Sequence, residues 1–308
     1  MPIPSISNEA FTAFITHNRQ HGIHRKGYNG VAALIPHGYG NNLFVPAYAG
    51  LNYETISLSG LSPYVETHKT KFEPRAEPMS ITEATDTQVV LEQPETSHAR
   101  VSARITFSAH DPHYLHQKIE LTFHRRFCSE DEPNIFSSLW ASYIHQPRDR
   151  YIYLQRPDAK GPLDRWVGLT REDHGSPEYD VRHLPDQEIA AADHLSRMNT
   201  SEPVDANHRQ KIEDEVRSGL SHYYGICGED LVFLMMFGQP DRIRLAYSPN
   251  DGGKSPEWSP AWDYILHLDD VEVGPTYRWD VGLAVFAYDG RAGILDEVTR
   301  FREGETAG

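Results

Sequence analysis

The sequence predicts a mostly β protein, a large antiparallel β-sandwich with short helices at its N- and C-terminal ends. Three observations carry that expectation. Residues 100–107 alternate, with Val101, Ala103, Ile105 and Phe107 on one side and Arg100, Ser102, Arg104 and Thr106 on the other. After the turn SAHDP, Leu115, Ile119, Leu121 and Phe123 again oppose His116, Lys118, Glu120, Thr122 and His124. Two period-two runs across a short turn make a hairpin, because successive strand side chains leave opposite faces. The run Leu231–Phe237 (LVFLMMF) is apolar without alternation and so predicts a strand covered on both faces. Finally, the 21 prolines and 22 glycines fall mostly between such runs, as turn residues do.

Taken in order, residues 7–18 (SNEAFTAFITHN) read as a short helix, with Ser7 as N-cap and Phe11, Phe14 and Ile15 on one face. Strands are expected at 30–35, 42–48, 87–92, 135–144, 150–155 and 165–169, then at 242–247, 262–268 and 277–288. Residues 171–217 hold twelve acidic and six basic side chains and few large apolar ones. They read as a charged excursion over the sheet, a lid or a solvated arm, with helical pieces at 186–197 and 205–217. Ile294, Leu295, Val298 and Phe301 give 291–302 one apolar face, hence a terminal amphipathic helix. One domain over 1–308 is expected, since all-β folds of this size often stay single.

Composition bounds the partners. A formal charge of −15 disfavours a phosphate backbone and an anionic membrane surface alike. No apolar run approaches the ~20 residues of a spanning helix, and residues 1–14 lack the basic and apolar regions of a signal peptide. Cys128 and Cys227, a hundred residues apart, form neither a disulfide framework nor a zinc pattern. A reduced, cytoplasmic setting is expected, with no cofactor and no metal; nothing here sets the oligomeric state. His110, Asp111, His113 and His116 match no common zinc spacing. Serine-hydrolase, zincin, P-loop and dinucleotide-binding motifs are absent.

The chemistry concentrates in residues 24–54. Their only formal charges are Arg25, Lys26 and Glu54, in a chain that is 24% charged, and they are rich in glycine, tyrosine and asparagine. Flat apolar faces with fixed donors and acceptors suit a neutral polyol such as a sugar. Glu54, the segment's one acid, is expected to have a raised pKa and to serve as general acid or base; the plainer reading pairs it with Arg75 or Arg25. In Ser137–Leu154, Tyr143 and His145 share a strand face and form a candidate proton-transfer pair, while Trp140 lies on the opposite face. The expected catalytic set is Glu54, His145 and Tyr143. The expected binding set is His24, Tyr28, Asn29, Arg75, Trp140, His174 and Trp262, with the tryptophans as stacking platforms and Arg75 on a hydroxyl or carboxylate.

HRKGYNG at 24–30, NLFVPAYAGLNYE at 42–54, FEPR at 72–75, LWASYIHQPRDRYIYL at 139–154 and PAWDY at 260–264 resemble a group of bacterial proteins, a match that carries no catalytic residues over. In length and strand count the chain is similar to the galactose-mutarotase-like β-supersandwiches. That resemblance implies a carbohydrate ligand, with sugar epimerases, glycosidases and polysaccharide lyases as relatives. The mutarotase histidine and glutamate motifs have no residue-by-residue counterparts here. The expected function is therefore acid/base chemistry on a sugar, of epimerase, lyase or glycosidase type. The alternatives are a carbohydrate-binding protein without turnover and a structural or assembly partner.

Overall fold

The computed structural model describes residues 2–59, 71–156, 165–172, 178–249 and 259–304. These residues form antiparallel sheets of three, ten and four strands, and few helices. The first sheet holds β1 (Ser5–Ser7), β2 (Phe11–Thr16) and β3 (Gly30–Pro36). It replaces the helix expected at 7–18. Asn8 Oδ1 accepts from the amides of Ala10 and Phe11 and turns the chain. Burial then follows Phe11, Ala13 and Ile15, a period of two, and Phe14 is left half-buried.

The small sheet is ordered β15 (Ile243–Ser248), β16 (Ala261–Leu268), β9 (Phe136–Ala141), β4 (Asn52–Leu58). The large sheet begins with β12 (Asp180–His183), β11 (Trp166–Thr170), β10 (Ile152–Gln155), β13 (His222–Cys227) and β14 (Leu231–Phe237). It continues with β17 (Thr276–Ala287), β8 (Tyr114–Phe123), β7 (Val101–His110), β6 (Gln88–Gln93) and β5 (Ser80–Ala84). The hairpin β7–β8 runs in continuous register from Val101–Phe123 to His110–Tyr114, as its alternation requires. β14 is central and covered on both faces.

Rings from the small sheet lock onto the large one. Trp262 of β16 sits against Gly225 of β13, where an added Cβ would lie 2.2 Å from the indole. Tyr223 donates to the Trp262 carbonyl at 2.9 Å, and Tyr264 donates to Gln117 at 2.6 Å. The hydroxyls therefore keep acceptors in a layer that is otherwise apolar.

Helices decorate this body: α1 (Glu73–Ala76) on β4, α2 (His194–Thr200), α3 (Ala206–Ser218) over β15, and α4 (Arg291–Glu303) beside β14. Asp205 caps α3 by accepting from the amides of Asn207 and His208. Ile294 and Val298 bury the apolar face of α4. The charged excursion is more than decoration, since it supplies edge strand β12 and buries Met198 and Ile212. Residues 42–48 are not a strand; the turn closed by Tyr48 N to Val45 O interrupts them, leaving one bridge between Phe44 and Ile144. Both cysteines are free thiols. Among the described residues no helix is long and apolar enough to cross a membrane.

Candidate functional site

Glu54 occupies a β-bulge. Tyr53 pairs with Trp140 and Thr55 with Leu139, so Glu54 is the extra residue of β4. A bulge of this kind re-aims a side chain that regular pleating would fix. Tyr53 stacks on Trp140 in the core with centroids 4.8 Å apart. The Glu54 carboxylate instead meets Arg75 and Tyr143. Arg75 Nη1 donates to Oε1 at 2.6 Å, and the Tyr143 hydroxyl lies 2.9 and 3.0 Å from the two oxygens.

Arg75 is aimed by α1 and by Gly27. Its Nε donates to the Gly27 carbonyl at 3.0 Å. Gly27 has φ +87°, and a Cβ there would come within 3.2 Å of the Arg75 carbonyl. Glycine thus permits both the backbone conformation and the close approach. The guanidinium lies over the Tyr28 ring, 3.9 Å from its centroid. Tyr28, Tyr48 and Tyr143 pack together at 4.8 to 5.8 Å, and Arg25 Nη1 donates to the Tyr48 hydroxyl at 3.2 Å.

Burial pushes the Glu54 carboxyl above its ordinary pKa, opposed by the charge of Arg75 and by the Tyr143 and Arg75 hydrogen bonds. Burial first, then the charges of Glu54 and Asp263, push the Tyr143 phenol well up. Tyr143 therefore remains a proton donor at neutral pH. The arrangement presents a carboxyl group able to take or give a proton, an orienting phenol and a fixed cation, backed by aromatic rings.

Of the residues expected from the sequence, Glu54, Arg75, Tyr143 and Tyr28 come together. His24 lies behind them: its Nε2 is 2.6 Å from the Tyr28 carbonyl, and burial lowers its pKa. Asn29 is a clip, donating to the Tyr53 carbonyl at 3.1 Å and accepting from the Tyr53 amide at 3.0 Å. It thereby sets the strand that carries Glu54. His145 is half-buried, its amide donating to the Leu43 carbonyl, and it makes none of the hydrogen bonds at Glu54 or Tyr143.

The tryptophans require correction. Trp140 and Trp262 are fully buried between the sheets, so neither offers a face for a ligand to stack on. His174 lies outside the described residues. Two neighbours of the cluster were not on the expected list. Tyr48 lies within the unusual 24–54 segment, and its enrichment in tyrosine was the signal. Asp263 is buried and accepts from the Ser142 amide at 2.9 Å; burial, with the charge of Glu54 adding to it, holds its carboxyl well above the usual carboxylate range. Nothing in its local sequence separates it from a surface aspartate.

Among the described residues no three histidine, cysteine, aspartate or glutamate side chains converge as a metal set. In the 110–116 turn, His113 instead faces Glu297 at 3.2 Å, and His110 packs 4.9 Å from His116.

No family model matches the chain, and no curated protein does. Solved structures give a fold-level resemblance at low identity. Galactose 1-epimerase from Lactobacillus acidophilus NCFM aligns at TM-score 0.47 and 8% identity, over 92% of this chain and 93% of that one. The GalM/aldose epimerase homologue from C. elegans aligns at 0.44 and 10%, over 94% and 99%. Alpha-N-acetylgalactosaminidase NagBb from Bifidobacterium bifidum aligns at 0.43 and 9%, over 98% of this chain and 39% of that one.

Proposed function

We propose that the protein binds a carbohydrate at the Glu54 cluster and acts on it by general acid/base chemistry. The observation that carries this reading is a single buried carboxyl, raised in pKa, at the end of a segment otherwise neutral, aromatic and hydrogen-bonding. Glu54 exchanges the proton with a substrate carbon or oxygen. Tyr143 holds the carboxyl in orientation and keeps its own proton. Arg75 balances the charge when Glu54 is ionised. The rings of Tyr28 and Tyr48 supply apolar surface beside them. His145, two residues beyond Tyr143, is the second proton carrier in this reading, and His174 a further contact.

The test uses a panel of neutral and acidic sugars, with anomer exchange, epimer formation and unsaturated products followed by proton NMR. Glu54→Gln is expected to reduce turnover roughly a hundredfold or more. Turnover that survives intact in both Glu54→Gln and His145→Ala removes the reading. Binding without turnover is a second reading. It is favoured by the 2.6 Å contact with Arg75, which already gives the carboxylate a partner. Calorimetric binding of a sugar that no NMR signal shows being converted selects it.

A further inference from the structure

A second site lies on the outer face of the small sheet, under α3. There a pocket of about 490 Å³ is lined by Arg171, Arg217 and Arg244, with Tyr179, Ser137 and His267 among its walls and no carboxylate in its lining. Three guanidinium groups in one recess of a chain with net charge −15 are not an average surface. Like charges held together repel, and a recess with apolar walls screens them less than open water does.

The individual contacts leave cationic capacity unused. Arg171 lies over the Tyr179 ring, 4.0 Å from its centroid, and its buried Nε has no hydrogen-bond partner among the described residues. Arg244 Nη1 donates only to backbone, to the carbonyls of Asp241 and Ile243. Burial lowers the Arg244 pKa, and the charges of Asp269 and Asp241 only partly oppose that shift. Arg217 has a loose partner in Glu213 at 3.7 Å and is mostly exposed. His267 is held between Ser137 Oγ at 2.8 Å and Asp269 at 3.0 Å, and Asp269 itself is exposed. Of the acids nearby, Glu213 is buried and accepts from the Tyr179 amide at 3.0 Å, while Asp269 stands exposed at the rim.

We propose that this pocket is an oxyanion-binding site, taking a phosphate, sulfate or carboxylate group. Guanidinium forks match such groups with paired, charge-assisted hydrogen bonds, and Tyr179 and the sheet hold the forks in place. The anion relieves the mutual repulsion of the three arginines and supplies the acceptor that Arg171 Nε lacks. The site needs none of the Glu54 cluster, so its fate is separate from that of the proposed activity.

Binding is measured by calorimetry on the full chain at low ionic strength, with inorganic phosphate, inorganic sulfate, a hexose 6-phosphate, a uronic acid and the uncharged hexose. The anions are expected to bind, with affinity falling as salt rises. Arg244→Gln and Arg217→Gln are each expected to weaken that binding roughly tenfold or more. Arg217 is exposed, so its variant keeps the test usable if Arg244→Gln fails to fold. Equal affinity for free and sugar-borne anions assigns the site to the free oxyanion; tighter sugar-borne binding assigns it to an acidic sugar, and both support the site. No anion binding, or binding unchanged by both substitutions, overturns it.

Discussion

Glu54 and Asp149 are both buried carboxyls that accept a hydrogen bond from a tyrosine, yet they stand in opposite situations. Asp149, just before β10, is 1% exposed and takes its donors from the Tyr153 hydroxyl and the Tyr151 amide. Among the described residues no cation touches it; Arg148 and Arg150 act through their charge, and burial pushes its pKa up to about 6. Around it lie Tyr153, Tyr224 and His194, whose own pKa burial lowers to about 4. Glu54, also buried, has a guanidinium in contact and a half-buried tyrosine beside it. Burial alone is enough to perturb a carboxyl. What sets the proposed site apart from a satisfied core group is its matched cation.

The comparison breaks most sharply at Arg75. Arg75→Met keeps apolar bulk over Tyr28 but leaves Glu54 buried without its cation, which costs about 3 kcal/mol at neutral pH. Lower pH protonates Glu54 and removes most of that cost, as does the double variant with Glu54→Gln. Urea unfolding at about pH 5 and about pH 7.5 reads the difference. A cost that is the same at both pH values would show that the ion pair is not its source.

Asp149 predicts a pH effect of similar size. Its folded pKa is raised from 3.8 to about 6, so the folded state binds more protons than the unfolded chain between those values. Its contribution is present at low pH and is lost as pH rises through the folded pKa, by up to about 3 kcal/mol. Asp149→Asn removes this share. The variant is expected to gain stability relative to the parent as pH rises from about 4 to about 6 and to hold that gain above. A difference profile that is flat across this range counts against a raised Asp149.

The contrast between these regions was only partly legible beforehand. The β7–β8 hairpin and β14 followed from periodicity, because each strand face there has a single environment. β13 was missed: HYYGIC is buried throughout, and Gly225 looks like a turn residue until Trp262 is seen filling its missing side chain. The stretch 7–18 was misread because Phe11, Phe14 and Ile15 satisfy a helical spacing as well as Phe11, Ala13 and Ile15 satisfy a strand. Residue chemistry singled out Glu54, Arg75 and Tyr143, since an isolated acid in a neutral segment needs partners. Their meeting, however, depends on a bulge that no local pattern announces. Alternation along the expected strand 135–144 already places Trp140 and Tyr143 on opposite faces, and the structure has the first in the core and the second, just past β9, beside Glu54. Asp149 gave no signal: its donors, Tyr151 and Tyr153, are local, but the His194 and Tyr224 rings that pack on Tyr153 come from segments distant in sequence.

The smallest test compares the two hydroxyls directly. Tyr153→Phe removes one of two donors from a carboxyl that has no contacting cation. Tyr143→Phe removes a donor from a carboxyl that keeps Arg75. The first is expected to cost about 2 kcal/mol at neutral pH and the second about 1 kcal/mol, since a hydrogen bond to a charged group is worth most where nothing else compensates. Both losses shrink on acidification, because each carboxyl can then be neutral; the larger shrinkage belongs to Tyr153→Phe. Chemical denaturation of the two variants side by side decides the order. If Tyr143→Phe proves as costly as Tyr153→Phe, Arg75 does not buffer Glu54. The distinction between a buried carboxyl compensated by a cation and one that is not then loses its energetic basis.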